Sequence, residues 1–493
     1  MQRVPAKTEG LLVATLLFSG CSGFRHQPAA VDRLKPCSHT EGPTDAYCGT
    51  FEVLENRAAP AGRKIALKIV VLPGLRRNAA PDPLFFLAGG PGQGAAKLAK
   101  GVRELFRNVQ IDRDLVLVDQ RGTGDSNPLN CKHNEEKLDP TPEESLEKLR
   151  DCLAADQSKA DLRFYTTTIA MDDLDDVRRY LGYSKINLYG GSYGTRAAIV
   201  YTRRHGPNVR SVVLDGVAPT DMRLPLYMAR DGQRAMDLML RDCEQDTGCK
   251  QRFPSLGERL ARLLDRLEKQ PQRVHVTHPR TGIGLDIDVR RLMISGALFG
   301  ALYAPQSTAL LPLLIERAEK NDFAGFLALG SVNDGVADNM SEGMHFSVVC
   351  SEDAPRILKG SIQQEAKDTF IGSEMAEWRV RPCDFWPRGD VDQAYYESPQ
   401  IDVPALILSG ELDPVTPPTW GQQVASHWTN SRHIVVPGTG HGTIASGCVV
   451  NVLRQFVNQG SAANLNVDCV QRVRRAPFFL GPSGPDPQGA TRQ

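Results

Sequence analysis

The sequence predicts an α/β protein: a mostly parallel central sheet flanked by helices, interrupted by an inserted, mainly helical cap. Three observations lead there. Short, nearly continuous apolar runs recur at wide intervals, as in strands buried on both faces of a parallel sheet. Stretches with helical periodicity lie between them, as parallel crossovers require. That alternation stops between 215 and 404 and then resumes, so about 180 residues read as an insertion, an ordinary size for a domain.

In chain order, Ile65, Leu67, Ile69 and Val71 alternate with other residues as in a half-buried strand. Continuous runs follow at 84–87, 115–118, 186–189 and 212–214, and after the insertion at 405–408 and 434–436. Thr141-Pro142-Glu143-Glu144 reads as an N-cap with proline in the first turn, leading into Leu146, Leu149 and Leu153. Met171, Leu174, Val177 and Leu181 form one apolar stripe, with Arg178 and Arg179 near the helix end where the dipole favours cations. A third helix starts near Tyr193 and stops at His205-Gly206-Pro207. Helical patterns in the insertion fall at 228–240, 256–267, 290–303 and 310–318. The expected organisation is a signal peptide at 1–20, a tether at 21–44, the first part of the α/β core at 45–219, the cap at 220–403, the second part of the core at 404–476, and a disordered tail at 477–493.

Gly190-Gly191-Ser192-Tyr193-Gly194 matches G-x-S-x-G. It follows a predicted strand and opens a predicted helix, the setting of a nucleophile elbow, in which small residues are needed because the turn is strained and its neighbours pass close by. A serine hydroxyl needs a base, and the base needs an orienter. Asp413 follows the run at 405–408, and His441, between two glycines, follows the run at 434–436. Both then sit at carboxyl ends of strands, where ligand sites of open α/β sheets lie. Glu411 is the rival orienter and His433 the rival base, the latter at the wrong end of its strand. An oxyanion needs two N–H donors. Tyr193 supplies one, and Gly90, in Ala88-Gly89-Gly90-Pro91-Gly92 after the run at 84–87, supplies the other.

These motifs, together with Asp119-Gln120-Arg121-Gly122-Thr123-Gly124-Asp125-Ser126, resemble the successive motifs of the proline iminopeptidase and tripeptidyl aminopeptidase group of α/β-hydrolases, in its exported branch. Ala88 stands where that family usually has His. The resemblance implies an α/β-hydrolase fold and a serine peptidase that cleaves near a free amino terminus through an acyl-enzyme on Ser192. It also implies that Asp119 and Arg121 brace loops. A substrate ammonium would require carboxylates facing the cleft from the cap, for which Glu352 and Asp353 beside Cys350 are the candidates. Trp378, Phe385 and Trp386 are candidates to wall an apolar pocket. A carboxylesterase or lipase using the same triad is the alternative reading, and a non-catalytic envelope-binding lipoprotein with a hydrolase fold is the second.

Arg3 and Lys7, the apolar run at 11–18 and Ser19-Gly20-Cys21 resemble a bacterial lipoprotein signal. That implies lipidation of Cys21 and an exported, envelope-anchored chain, touching the membrane only through its anchor. Ten cysteines remain, an even number in an exported protein, with no C-x2-C zinc spacing. Sequence leaves their connectivity open. Pairing of nearest neighbours closes short loops and is the expectation: Cys37 with Cys48, Cys131 with Cys152, Cys243 with Cys249, Cys350 with Cys383, Cys448 with Cys469. Lys plus Arg equals Asp plus Glu, 58 each, which argues against a nucleic-acid partner. No metal or cofactor is expected, the partner is a peptide substrate, and oligomeric state is not legible.

Overall fold

The computed structural model describes residues 31–131, 141–279, 281–337 and 339–485. The signal segment, Cys21 and the start of the tether lie outside them. The central sheet takes β1 (Lys35–Pro36), β2 (Tyr47–Leu54), β3 (Lys64–Leu72), β4 (Ala80–Leu87), β5 (Arg113–Val118), β6 (Ile186–Gly191) and β7 (Val209–Asp215). A separate hairpin, β8 (Gln272–Thr277) with β9 (Gly284–Val289), follows, and the sheet is completed by β10 (Ala405–Gly410) and β11 (Ser431–Val436). Strand order is β1-β2-β3-β5-β4-β6-β7-β10-β11. The β1 to β3 edge is antiparallel and β3 meets β5 antiparallel; every pairing from β5 through to β11 is parallel.

The continuous apolar runs have the expected cause. Every residue of β5 and of β10 is buried, and alternate residues feed opposite faces. Ala405 and Ile407 join a core with the helices Thr167–Tyr180 and Tyr193–His205, whereas Leu406 and Leu408 join one with Ala99–Leu105 and Val449–Gln459. The stretch between β7 and β10 carries a third core of its own. Its helix Leu256–Lys269 buries Leu256, Leu260, Leu263, Leu264 and Leu267, one face at helical spacing.

Three features depart from the sequence expectation. Strand β2 carries polar residues at several positions and β8–β9 is half exposed, so neither shows a run of the central kind. The end of the tether joins the sheet through β1 and the Cys37–Cys48 bridge. The start of the tail expected to be disordered from Pro477 instead packs on the insertion as far as Leu480: Phe478 is buried, and the Phe479 N–H donates to the Ala309 carbonyl at 3.0 Å. The hydrophobicity of Phe478, Phe479 and Leu480 outweighs the surrounding Pro and Gly.

The structure contains the five nearest-neighbour disulfides, 37–48, 131–152, 243–249, 350–383 and 448–469, each of a kind that contributes about 2–4 kcal/mol. Leu188, in the middle of β6, is fully buried. Leu188→Ala should cost about 2–5 kcal/mol, read as a lower urea midpoint at unchanged slope. An unchanged midpoint would contradict the packing described.

Candidate active site

Strand β6 runs directly into the helix Tyr193–His205, and the one residue between them is Ser192. Its backbone has φ +55° and ψ −126°, a conformation costing a non-glycine residue about 1–3 kcal/mol. The neighbours explain why two glycines are indispensable. A Cβ on Gly190 would lie 2.2 Å from the Gly194 carbonyl oxygen, and one on Gly194 would lie 2.2 Å from that of Leu87 in adjacent β4. The turn is held by the Ser192 N–H donating to the Asp215 carbonyl at 2.9 Å, and by the Thr195 N–H and hydroxyl donating to the Ser192 carbonyl at 2.9 and 2.6 Å. Ser192 itself is only partly buried.

His441 and Asp413 meet beyond the ends of β11 and β10. His441 Nδ1 is 2.8 Å from Asp413 Oδ2. Asp413 is fully buried; its Oδ1 accepts the N–H groups of Val415 and Thr416 at 2.8 Å each, and its Oδ2 the Thr416 hydroxyl at 2.8 Å. Burial opposes the carboxylate, but the charge and hydrogen bond of His441 and these N–H donors outweigh it and hold its pKa below the ordinary value. Burial likewise pulls the imidazolium down, yet the Asp413 charge and hydrogen bond, with a further contribution from Asp215, leave the His441 pKa raised. An acceptor at Nδ1 places the proton there and leaves Nε2 free as a base.

Ser192 and His441 both adjoin the end of β7. A Cβ on Gly216 would stand 3.4 Å from the His441 ring, and the preceding residue, Asp215, holds the Ser192 N–H. The insertion supplies the other support: the His441 N–H donates to the Tyr303 carbonyl at 2.8 Å, and the two rings meet edge to face at 5.2 Å.

The loop after β4 passes beside Ser192, since a Cβ on Gly89 would lie 3.1 Å from that of Ser192. Gly90 has φ +112°, available only to glycine, and Tyr193, as the first residue of its helix, has an N–H that helical geometry leaves without an acceptor. The insertion clasps this loop through the Ser341 N–H on the Gly92 carbonyl at 2.8 Å and His345 Nδ1 3.3 Å from the Pro91 carbonyl. Burial and the nearby Arg379 push the His345 pKa down to about 4, so this ring is neutral near pH 7.

Glu352 and Asp353 require correction. Both are fully buried and face the helix behind Ser192, not the cleft. Arg196 of that helix is itself fully buried, and Asp353 neutralises it with contacts of 2.9 and 3.1 Å. Glu352 accepts from the Thr167 N–H at 2.7 Å, the Thr167 hydroxyl at 2.9 Å and the Tyr395 hydroxyl at 2.5 Å. A buried guanidinium without counter-charge would be far costlier than a solvated one, and this demand claims both acids. The Cys350–Cys383 bridge holds them there.

Glu411 accepts the Gly438 N–H at 2.9 Å, and His433 meets the buried Ser409 hydroxyl at 2.9 Å, so neither rival serves the pair. Trp386 is buried with its indole N–H on Ser347 at 3.1 Å; Trp378 stacks with Arg381, and Phe385 with Arg150. Asp119 accepts the Ala96 and Asp125 N–H groups, and Arg121 grips Asp173 with two bonds of 2.7 and 2.9 Å, a bracing role for each. Sequence reasoning missed Thr416, which the spacing Asp413-Pro414-Val415-Thr416 would have signalled as a turn closing back on Asp413. It also missed Tyr303, which no local pattern announces.

Residues 82–271 match the family model described as alpha/beta hydrolase fold, and residues 368–469 match that described as TAP-like protein. Along most of its length the chain is 25% identical to serine protease Hip1 of Mycobacterium tuberculosis, covering 87% of this chain and 88% of that one. It is 22% identical to tripeptidyl aminopeptidase of Streptomyces lividans, covering 88% and 86%. Over 139 residues it is 32% identical to proline iminopeptidase of Neisseria gonorrhoeae, covering 28% and 34%.

Because the Asp413 charge raises the His441 pKa, the acid limb of kcat/KM should have its midpoint above about 6.5, the ordinary histidine value. Asp413→Asn removes that charge, so the residual activity should be lower by roughly 10⁴ and its limb should move to lower pH. A limb that stays in place would exclude the pairing as the source of the shift.

Proposed function

We propose that this α/β-hydrolase is an exported serine peptidase that removes residues from the free amino end of peptides. The observation that carries the catalytic part is the buried Asp413 held 2.8 Å from His441 Nδ1, at the same edge of the sheet as a serine in an elbow turn. Ser192 attacks the scissile carbonyl while His441 Nε2 takes its proton. Asp413 stabilises the imidazolium, and the Gly90 and Tyr193 N–H groups hold the oxyanion. His441 then returns the proton to the leaving amine, and water activated by the same ring hydrolyses the acyl-enzyme. The preference for a free amino terminus is supported by the relatives named tripeptidyl aminopeptidase and proline iminopeptidase, since Glu352 and Asp353 are engaged elsewhere. Five disulfides favour an oxidising compartment, consistent with the lipoprotein-like signal ending at Cys21.

Peptidyl amides with free and acetylated amino termini separate this reading from an esterase. The free form should be turned over at least about 100-fold faster, and Ser192→Ala should abolish turnover by roughly 10⁶ in kcat. Equal rates on both forms would refute the amino-terminal preference, and ester turnover without amide turnover would refute the peptidase assignment. Labelled palmitate should enter the chain in bacteria and be lost in Cys21→Ser; no incorporation into the parent would remove the anchor.

A further inference from the structure

Asp215 closes β7 and is fully buried. It lies opposite Gly191 of β6 on one side and Leu408 of β10 on the other, so it stands between the strands that lead to Ser192 and to Asp413. Its backbone carbonyl accepts the Ser192 N–H at 2.9 Å. Its carboxylate accepts the Thr443 N–H at 2.9 and 3.0 Å, the Thr443 hydroxyl at 2.9 Å, the Ile444 N–H at 3.0 Å and the Tyr189 hydroxyl at 2.9 Å. Thr443 and Ile444 lie just beyond His441. One residue therefore ties the nucleophile turn with its main chain and the histidine loop with its side chain.

We propose that Asp215 is a positioning residue for catalysis, fixing the His441 loop against the Ser192 turn. The role rests on the assignment of Ser192, Asp413 and His441 as the reacting set. Every group around the Asp215 carboxylate is a donor, which suits the ionised form: a protonated acid would turn its own O–H against one of them. Burial holds its pKa above the ordinary carboxylate value, against the opposing pull of the Thr443, Tyr189 and Ile444 bonds. The titratable and charged groups around His441 are Asp413 from the loop after β10, Asp215 from β7 and Tyr303 from the insertion, with Arg234 beside Asp413 and Arg379 beside Tyr303. Of these, Asp413 and Asp215 are the two whose charges favour protonated His441.

The alternative is a brace that matters for folding alone. Two variants separate them: Asp215→Asn, which removes the charge and turns an amide donor toward donors, and Thr443→Val, which deletes only one hydrogen bond. Each is measured on a free-amine peptidyl amide and on p-nitrophenyl acetate, which needs Ser192 and His441 but no peptide recognition. In folded protein, Asp215→Asn should lower kcat about 100-fold on both substrates, the scale of a misplaced catalytic group, with KM within twofold and the acid limb moved to lower pH. Thr443→Val should lower kcat several-fold at unchanged KM and leave the limb in place. A Thr443→Val enzyme of parental kcat, or a folded Asp215→Asn enzyme with parental kcat or limb, would overturn the proposal. A parent that cleaves the ester but no peptide would refute the peptidase reading and leave this test intact.

Discussion

The site hangs on a turn that only glycine can close. Between β6 and its helix the chain reverses within one residue, and the close approach of Gly190 to Gly194, and of Gly194 to Leu87, leaves no room for a side chain at either glycine. That crowding forces Ser192 into its φ +55° conformation and keeps it from collapsing into the sheet. The strain is sustained because the flanking structure over-determines the turn: hydrogen bonds to Asp215 and from Thr195 on the main chain, and the Arg196–Asp353 pair behind the helix.

From that turn the rest follows by strand geometry. Parallel strands end on one edge, so β4, β6, β7, β10 and β11 bring the Gly90 loop, Ser192, Asp215, Asp413 and His441 to one edge of the sheet. The insertion between β7 and β10 is no passive cover. Tyr303 holds the His441 loop by main-chain and ring contacts, and Ser341 and His345 hold the Gly90 loop. Residues from the insertion thus brace both the His441 loop and the Gly90 loop, so under the proposed mechanism a change in how it packs would alter catalysis as well as access.

The core strands and the elbow turn were legible in the sequence for a physical reason. Strands buried on both faces must be apolar throughout, as at 115–118 and 405–408, and an elbow must carry glycines at fixed offsets. Partly exposed strands such as β2 and β8 escape notice because one face meets water and polar residues are tolerated there. The fate of Glu352 and Asp353 was not legible because it depends on Arg196, more than 150 residues away. Acids beside a disulfide look alike in sequence whether they face a cleft or a buried guanidinium. Tyr303 and Asp215 were hidden similarly, since their partners Ser192, His441 and Thr443 come from other elements.

The proposed activation of Ser192 by His441 is open to chemical labelling. Its most direct test is the intact mass of the protein after exposure to a fluorophosphonate, followed by peptide mapping. One adduct per chain is expected, located on Ser192 and formed far more slowly in His441→Ala. An unmodified parent protein, or an adduct on any other residue, would contradict it.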